Sequence, residues 1–177
     1  DLKSMRTYQG KQMWALFGEY DMPYDLDRNP YKIPSLAESC EKAISLLNDP
    51  EGEGFFLMVE GSKVDWAAHA NDPVGIASEM LAFDKADFAR RDGNTAIVIM
   101  PDHGNSGLSI GLQRLRHADK QGPEVLFGQL TDIKRTAAGL AKLLNEAPND
   151  QARELFHHYA AIDLSDEELD ALYQCEE

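Results

Sequence analysis

The stretch that decides the predicted fold is residues 55–111, FFLMVEGSKVDWAAHANDPVGIASEMLAFDKADFARRDGNTAIVIMPDHGNSGLSIG. Two apolar runs, at residues 55–59 and 95–100, enclose a long pattern with helical spacing. The first run is continuous, which is typical of a strand covered on both faces. The second, TAIVIM, is rich in β-branched residues, which favour strands. The stretch therefore predicts a strand–helix–strand unit.

Side chains that can bind metals follow both apolar runs. Glu60, Asp65 and His69 come after the first run, and Asp102 and His103 come after the second. In a strand–helix–strand unit the two strands run parallel, so the loops that follow them share one edge of the sheet. Carboxylate and imidazole ligands without cysteine suit a catalytic zinc site better than a structural one. The sequence predicts a metal site at this edge.

Several separate motifs occur in a fixed order along the chain. They are MPYDLDR at 22–28, PSLAE at 34–38, EGxxxDxxxH at 60–69, DP at 72–73, FDKA at 83–86 and DHG at 102–104. This ordered set, spread over roughly residues 16–111, resembles the alkaline phosphatases. The resemblance implies an α/β fold, in which residues 1–111 are part of a parallel-sheet core and residues 112–177 are a helical insertion.

The same resemblance implies a role for each candidate ligand. Asp65 and His69 would bind one Zn²⁺, Asp102 and His103 would bind a second Zn²⁺, and Glu60 would bind Mg²⁺. Read without the resemblance, Asp65 and His69 equally suit a hydrogen-bonded pair on a surface turn, since residues four apart share a helix face. Likewise, Glu60 could be a helix-facing or solvent-exposed residue at a strand end.

Other family features are changed or have no match in these 177 residues. Trp66 occupies the position where many relatives carry His or Lys near the phosphate, so it is a candidate substrate contact. The nucleophile motif of the Asp-Ser-Ala type is unmatched, as are one Asp ligand and one His ligand of the zinc ions. Because the family's proteins are usually much longer, we expect an internal piece of such an enzyme, inactive by itself.

The implied activity of the whole protein is hydrolysis of small phosphate monoesters. The resemblance also implies a homodimer and a periplasmic or secreted location, although the sequence shows no signal peptide. Two other functional classes stay open. One is another two-metal enzyme of the same superfamily, such as a phosphodiesterase, a mutase or a sulfatase. The other is a non-catalytic module that binds a partner through its acidic tail.

Composition limits the partners and the class of protein. The chain is long enough for one domain with a real core, and 43% of its residues are apolar. Its formal net charge of −14 argues against nucleic acids and anionic membranes, which attract clustered Lys and Arg. No segment is long and apolar enough to suggest a membrane span.

Local patterns predict the helices and some burials. Helices are expected from Ser35, with Cys40 on the buried stripe, and from an Asp72 cap to about residue 93, with Met80 and Phe83 in the core. Further helices are expected after Thr131, from Asp150 and from a Ser165–Glu168 capping box. The prolines at 23, 30 and 34 indicate a loop whose aspartates, at 21, 25 and 27, face solvent. Of the adjacent His157 and His158, one is expected to be packed and one exposed.

Overall fold

The structure is a computed structural model that describes residues 14–86, 94–109 and 124–174. Its α-helices, in chain order, are α1 (Leu36–Leu47), α2 (Ser62–His69), α3 (Pro73–Lys85), α4 (Glu124–Phe127), α5 (Ala137–Glu146), α6 (Ala152–Ala160) and α7 (Asp166–Gln174). Short 3₁₀ helices at Gly128–Asp132 and Asn149–Gln151 precede α5 and α6. Among the described helices, none is both long and apolar enough to cross a membrane.

The predicted sheet is wrong for this structure. Within the described residues there is no strand, and the segments 55–59 and 95–100 are irregular. Most of their apolar side chains are exposed as well: Phe56 is 88% exposed and Val98 is 78% exposed, while Leu57 and Val59 are half-buried. An apolar run becomes a strand only when a neighbouring segment takes up its backbone hydrogen bonds. Neither residues 55–59 nor residues 95–100 form a strand in the part of the chain that the structure describes, so the chain is helical rather than α/β there.

Most predicted helix starts are confirmed by their caps. Ser35 and Glu38 form a reciprocal capping box at α1, and Ser165 and Glu168 exchange the same bonds before α7. The carboxylate of Asp72 accepts hydrogen bonds from the first turn of α3, which has proline at its start. The predicted end of that helix near residue 93 lies outside the described residues.

The start of α5 differs from the prediction. Thr136, not Thr131, is its N-cap, with the Thr136 hydroxyl accepting from the N–H of Gly139. The hydroxyl of Thr131 donates instead to the carbonyl of Gly128 inside the 3₁₀ helix. The helix expected from Asp150 begins at Ala152, after the 3₁₀ turn that contains Asp150.

The buried apolar side chains of α2 and α3 are small. Ala67 is fully buried, and a Cβ atom placed on Gly75 would lie 2.9 Å from the Cβ of Ala67, so these two helices approach closely. The predicted burial of Cys40 on α1 is confirmed, and burial raises the pKa of its thiol. The prediction that Met80 is a core residue is wrong, since it is 48% exposed. The close packing gives α2, which carries candidate ligands, a fixed position against α3.

The three loop aspartates that were predicted to face solvent form ion pairs or hydrogen bonds. Asp21 pairs with Lys63, and Asp25 pairs with Arg28 at 3.0 Å. Asp27 accepts from both the N–H and the hydroxyl of Thr136. The loop interpretation was correct for the backbone, and Asp21 is exposed as predicted, but Asp25 and Asp27 are half-buried and bonded.

Two carboxylates meet at the first turn of α5. Asp27 binds Thr136, which is completely buried, and the second oxygen of Asp72 accepts from the N–H of Ala137 at 2.8 Å. A guanidinium N–H of Arg135 donates to the carbonyl of Leu26. These bonds join the predicted core, residues 1–111, to the predicted helical insertion, residues 112–177.

Candidate metal centre

Helix α2 presents the first two candidate ligands. Asp65 and His69 are one turn apart, and the Oδ1 atom of Asp65 lies 3.4 Å from the Nε2 atom of His69. The Asp65 side chain is 30% exposed and the His69 side chain is 63% exposed, so both are open to solvent. The predicted helical spacing of this pair is confirmed.

His103 joins the pair from the irregular segment 102–108. Its Nε2 atom lies 3.8 Å from Oδ1 of Asp65, and its ring meets the His69 ring edge to face at a centroid distance of 6.1 Å. One ligand atom from each of Asp65, His69 and His103 lies within 4.8 Å of the others. Two imidazoles and one carboxylate make a three-ligand set, which is the number and type that a catalytic zinc takes from the protein. The donor set therefore fits Zn²⁺.

Asp102 lies against His103. Its Oδ2 atom is 3.1 Å from Nε2 of His103, and its Oδ1 atom accepts from the His103 backbone N–H at 2.9 Å. This backbone hydrogen bond is the main cause that lowers the pKa of Asp102. The Asp102 carboxylate therefore stays ionised to lower pH, and only an ionised carboxylate is a good metal ligand.

The fifth candidate, Glu60, is exposed and does not belong to the group of three. The structure thus brings together Asp65, His69 and His103, and it sets Asp102 beside His103. His103, predicted to share a zinc ion with Asp102, also lies close to Asp65 of the other predicted pair.

Two asparagines hold the 102–108 segment beside α2. Asn105 donates from Nδ2 to Oδ1 of Asp65 at 2.6 Å and to the Asp65 carbonyl at 3.2 Å. The side-chain oxygen of Asn71 accepts from the hydroxyl of Ser106 and the N–H of Gly107. Sequence reasoning missed both residues. The DHGNSG pattern shows the asparagine but gives no sign that it reaches back 40 residues to Asp65.

Trp66 stands beside the candidate ligands, with 49% of its surface exposed. Its ring lines two cavities of about 490 and about 500 Å³, both of which Tyr24 also lines. The second cavity includes Asp65 and His69 in its wall. Trp66 therefore contributes an aromatic wall next to two of the candidate ligands.

The side chain of Lys63 packs against the Trp66 ring. It is 8% exposed, and its Nζ atom lies 3.4 Å from the centroid of the Trp66 ring while pairing with Asp21. Burial is the main cause that raises the pKa of Tyr24, with the charges of Asp72 and Glu79 adding to it. Sequence reasoning missed Lys63, although its position three residues before Trp66 on a helix was a usable signal.

Comparison with known proteins points to the alkaline phosphatase family. A model of the alkaline phosphatase family matches residues 1–168. Alkaline phosphatase 3 of Bacillus subtilis is 38% identical over 144 residues, which is 75% of this chain and 31% of the relative. Alkaline phosphatase 4 of the same organism is 32% identical over 174 residues, or 94% of this chain and 35% of the relative. Streptomycin-6-phosphate phosphatase of Streptomyces griseus is 41% identical over 93 residues, or 45% of this chain and 21% of the relative.

The chain spans about a third of the length of the two Bacillus relatives. No solved structure matches the chain at a comparable level of significance.

Proposed function

Since the chain belongs to the alkaline phosphatase family, we propose that the whole protein hydrolyses phosphate monoesters with the help of bound divalent metal ions. The observation that carries this proposal is the convergence of Asp65, His69 and His103 from two separate segments. The match to the alkaline phosphatase family supports a chemical role for this group of side chains.

The proposal assigns the ligands as follows. Asp65 and His69 hold one Zn²⁺, Asp102 and His103 hold a second, and Glu60 holds Mg²⁺. The position of His103, close to both Asp65 and Asp102, supports two adjacent sites. When only one zinc ion is bound, Asp65, His69 and His103 offer it three protein ligands. Bound metal ions supply charge stabilisation and nucleophile activation for displacement at phosphorus.

The chain's own residues prepare this site in three ways. Asn105 donates to Asp65 and so fixes the orientation of a ligand carboxylate, as neighbours of metal ligands commonly do. Trp66 provides a wall for the organic part of the substrate, and the buried ammonium of Lys63 holds its ring. The hydrogen bond from the His103 N–H lowers the pKa of Asp102, so the carboxylate stays ionised to lower pH.

Small phosphate monoesters are the proposed substrates. The relatives are named as alkaline phosphatases and, in one case, as the phosphatase of streptomycin 6-phosphate, an organic phosphate monoester. We further propose that the whole protein is a homodimer in the periplasm or outside the cell. The 177-residue chain alone should show no turnover, because the family's nucleophile motif has no match in it.

The test is ester hydrolysis by the whole protein with zinc and magnesium present. We expect release of nitrophenol from p-nitrophenyl phosphate, and little from bis(p-nitrophenyl) phosphate or p-nitrophenyl sulfate. His103→Ala should lower kcat/KM by about 100-fold or more, since even partners of ligands contribute 10- to 100-fold. His157→Ala, an exposed imidazole on α6, is the matched control. A preference for the diester or the sulfate would contradict the proposal.

A further inference from the structure

We propose that Asn71 is a positioning residue for the candidate metal centre, because its side chain holds the segment that carries His103 against the end of α2. The inference rests on the proposed metal centre. It adds a residue that binds neither metal nor substrate and acts only through His103.

The backbone of Asn71 is fixed at the turn between α2 and α3. Its φ of 51° lies in the left-handed region, which asparagine tolerates better than other side chains with a Cβ atom. Its N–H donates to the carbonyl of Ala68 at 3.0 Å, and the next residue, Asp72, caps α3. This backbone therefore presents the side chain from a defined point.

The side-chain oxygen of Asn71 accepts two hydrogen bonds from residues 35 and 36 positions further along the chain. The hydroxyl of Ser106 and the N–H of Gly107 both donate to it at 2.9 Å. The Ser106 oxygen in turn accepts from the N–H of Leu108 at 2.9 Å. Asn71 thus binds a short run of the distant segment rather than one side chain.

This contact matters because the segment has few others. Within the part of the chain that the structure describes, the hydrogen bonds of residues 102–108 to other elements end on two residues, Asp65 and Asn71. His103 lies three residues before Ser106, and its own side chain is 53% exposed. Without the hydrogen bonds to Asn71, the segment would keep only the hydrogen bonds of Asn105 to Asp65. The segment and its His103 would then have to become ordered when the metal binds.

The expected effect is a loss of metal affinity without a loss of folding. Ordering a free segment opposes binding, and partners that orient ligands typically contribute 10- to 100-fold in affinity. We therefore expect a loss of about 10-fold in zinc affinity when the Asn71 acceptor is removed.

The experiment is a calorimetric zinc titration of the 177-residue chain with two variants at position 71. Asn71→Gly keeps the left-handed backbone available but removes the acceptor. Asn71→Asp keeps an acceptor oxygen at the same place. We expect weaker zinc binding for the glycine variant, near wild-type binding for the aspartate variant, and similar melting temperatures for both. Equal zinc affinity of wild type and the glycine variant would overturn the inference.

A double-mutant cycle separates positioning of His103 from other effects. In a His103→Ala background, Asn71→Gly should cause no further loss of zinc affinity, because the residue it positions is gone. A full further loss in that background would overturn the inference. If Asn71→Gly fails to fold, Ser106→Ala removes one of the two donors and should weaken zinc binding by a smaller factor.

The outcomes distinguish this inference from the proposed function. If His103→Ala weakens zinc binding but Asn71→Gly does not, the inference fails and the metal centre stands. Absence of zinc binding by the wild-type chain would overturn the inference, whereas the proposed function fails if the whole protein does not hydrolyse phosphate monoesters.

Discussion

Lys63 shows how one residue can connect the loop before α1 to the candidate site. Its ammonium pairs with Asp21 and lies over the ring of Trp66, although it is almost fully buried. A buried charge is retained only when its partners compensate for lost hydration. Here a carboxylate and an aromatic face provide that compensation.

Lys63→Met should therefore destabilise the chain by about 1–2 kcal/mol, the range of a desolvated cation–π contact. The loss is limited because Asp21 is 47% exposed and can be hydrated again. Urea unfolding measures the change, with the exposed Lys142→Met as control. An equal, small effect of both substitutions would show that the Lys63 contacts do not stabilise the fold.

Glu79 makes stability depend on pH. Burial raises its pKa above the ordinary 4.5, and the hydrogen bond from the N–H of Asp25 partly opposes this. A raised pKa in the folded state means that the native protein binds this proton more tightly than the unfolded chain does. The contribution of Glu79 to stability therefore falls as pH rises from its ordinary value through the folded pKa.

Glu79→Gln should remove that dependence, because glutamine does not titrate. The free energy of unfolding of wild type relative to the variant should decrease as pH rises from about 4 to about 8. Urea unfolding at several pH values measures this difference. A difference that is constant over the range would contradict the assignment to Glu79.

Among single residues, the sequence predicted the candidate metal ligands but not the residues that hold the site in place. Asp65, His69 and His103 follow recognisable motifs, so their types and spacing were visible. The roles of Asn71 and Asn105 were not visible, because their partners lie 35 to 40 positions away and no local pattern encodes such contacts. The spacing of Lys63 and Trp66 was a local signal, but the pairing of Lys63 with Asp21, 42 positions away, was not.

At the scale of elements, Asp72 joins two helices. One oxygen accepts from the N–H groups of Val74 and Gly75 at the start of α3, and the other accepts from Ala137 at the start of α5. Anionic acceptors are favourable at both positions because the N-terminal turn of a helix carries free N–H groups and a partial positive charge.

Asp72→Ala should lower the free energy of unfolding by roughly 3 kcal/mol. Loss of an N-cap accounts for about 1 kcal/mol, and loss of a charged hydrogen bond accounts for about 1.5–3 kcal/mol. Ser165→Ala, an exposed cap that serves α7 alone, is the control and should cost about 1 kcal/mol. Thermal or urea unfolding measures the free energy of unfolding of both variants and of the wild type. Equal losses would mean that the bond to α5 contributes nothing.

The elements also show where sequence prediction succeeds. Helix starts were predicted correctly at Ser35, at Asp72 and at the Ser165–Glu168 pair, because the capping hydrogen bonds join residues only two or three positions apart. The predicted strands failed because a strand depends on pairing with a distant segment, and residues 55–59 and 95–100 form no strand within the described part of the chain. His157 and His158 are both exposed, so the expectation that one of them is packed is also wrong.

At the scale of the whole molecule, folding should not require metal. Candidate ligands take no part in three of the contacts that hold the described helices together. These contacts are the hydrogen bonds of Asp27 with Thr136 and of Asp72 with Ala137, and the close approach of Ala67 on α2 to Gly75 on α3. A thermal melt in EDTA should therefore show a cooperative transition. Zinc at ten times its Kd should add only about 1.4 kcal/mol. Loss of the folded state on chelation would contradict this.

The central claim is that Asp65, His69 and His103 together bind zinc. X-ray absorption at the zinc edge, on the 177-residue chain with less than one equivalent of zinc, tests it most directly. We predict nitrogen and oxygen donors at about 2.0–2.1 Å with the scattering pattern of two imidazoles, reduced to one imidazole in His103→Ala. A sulfur donor at about 2.3 Å, or an unchanged spectrum in His103→Ala, would contradict it.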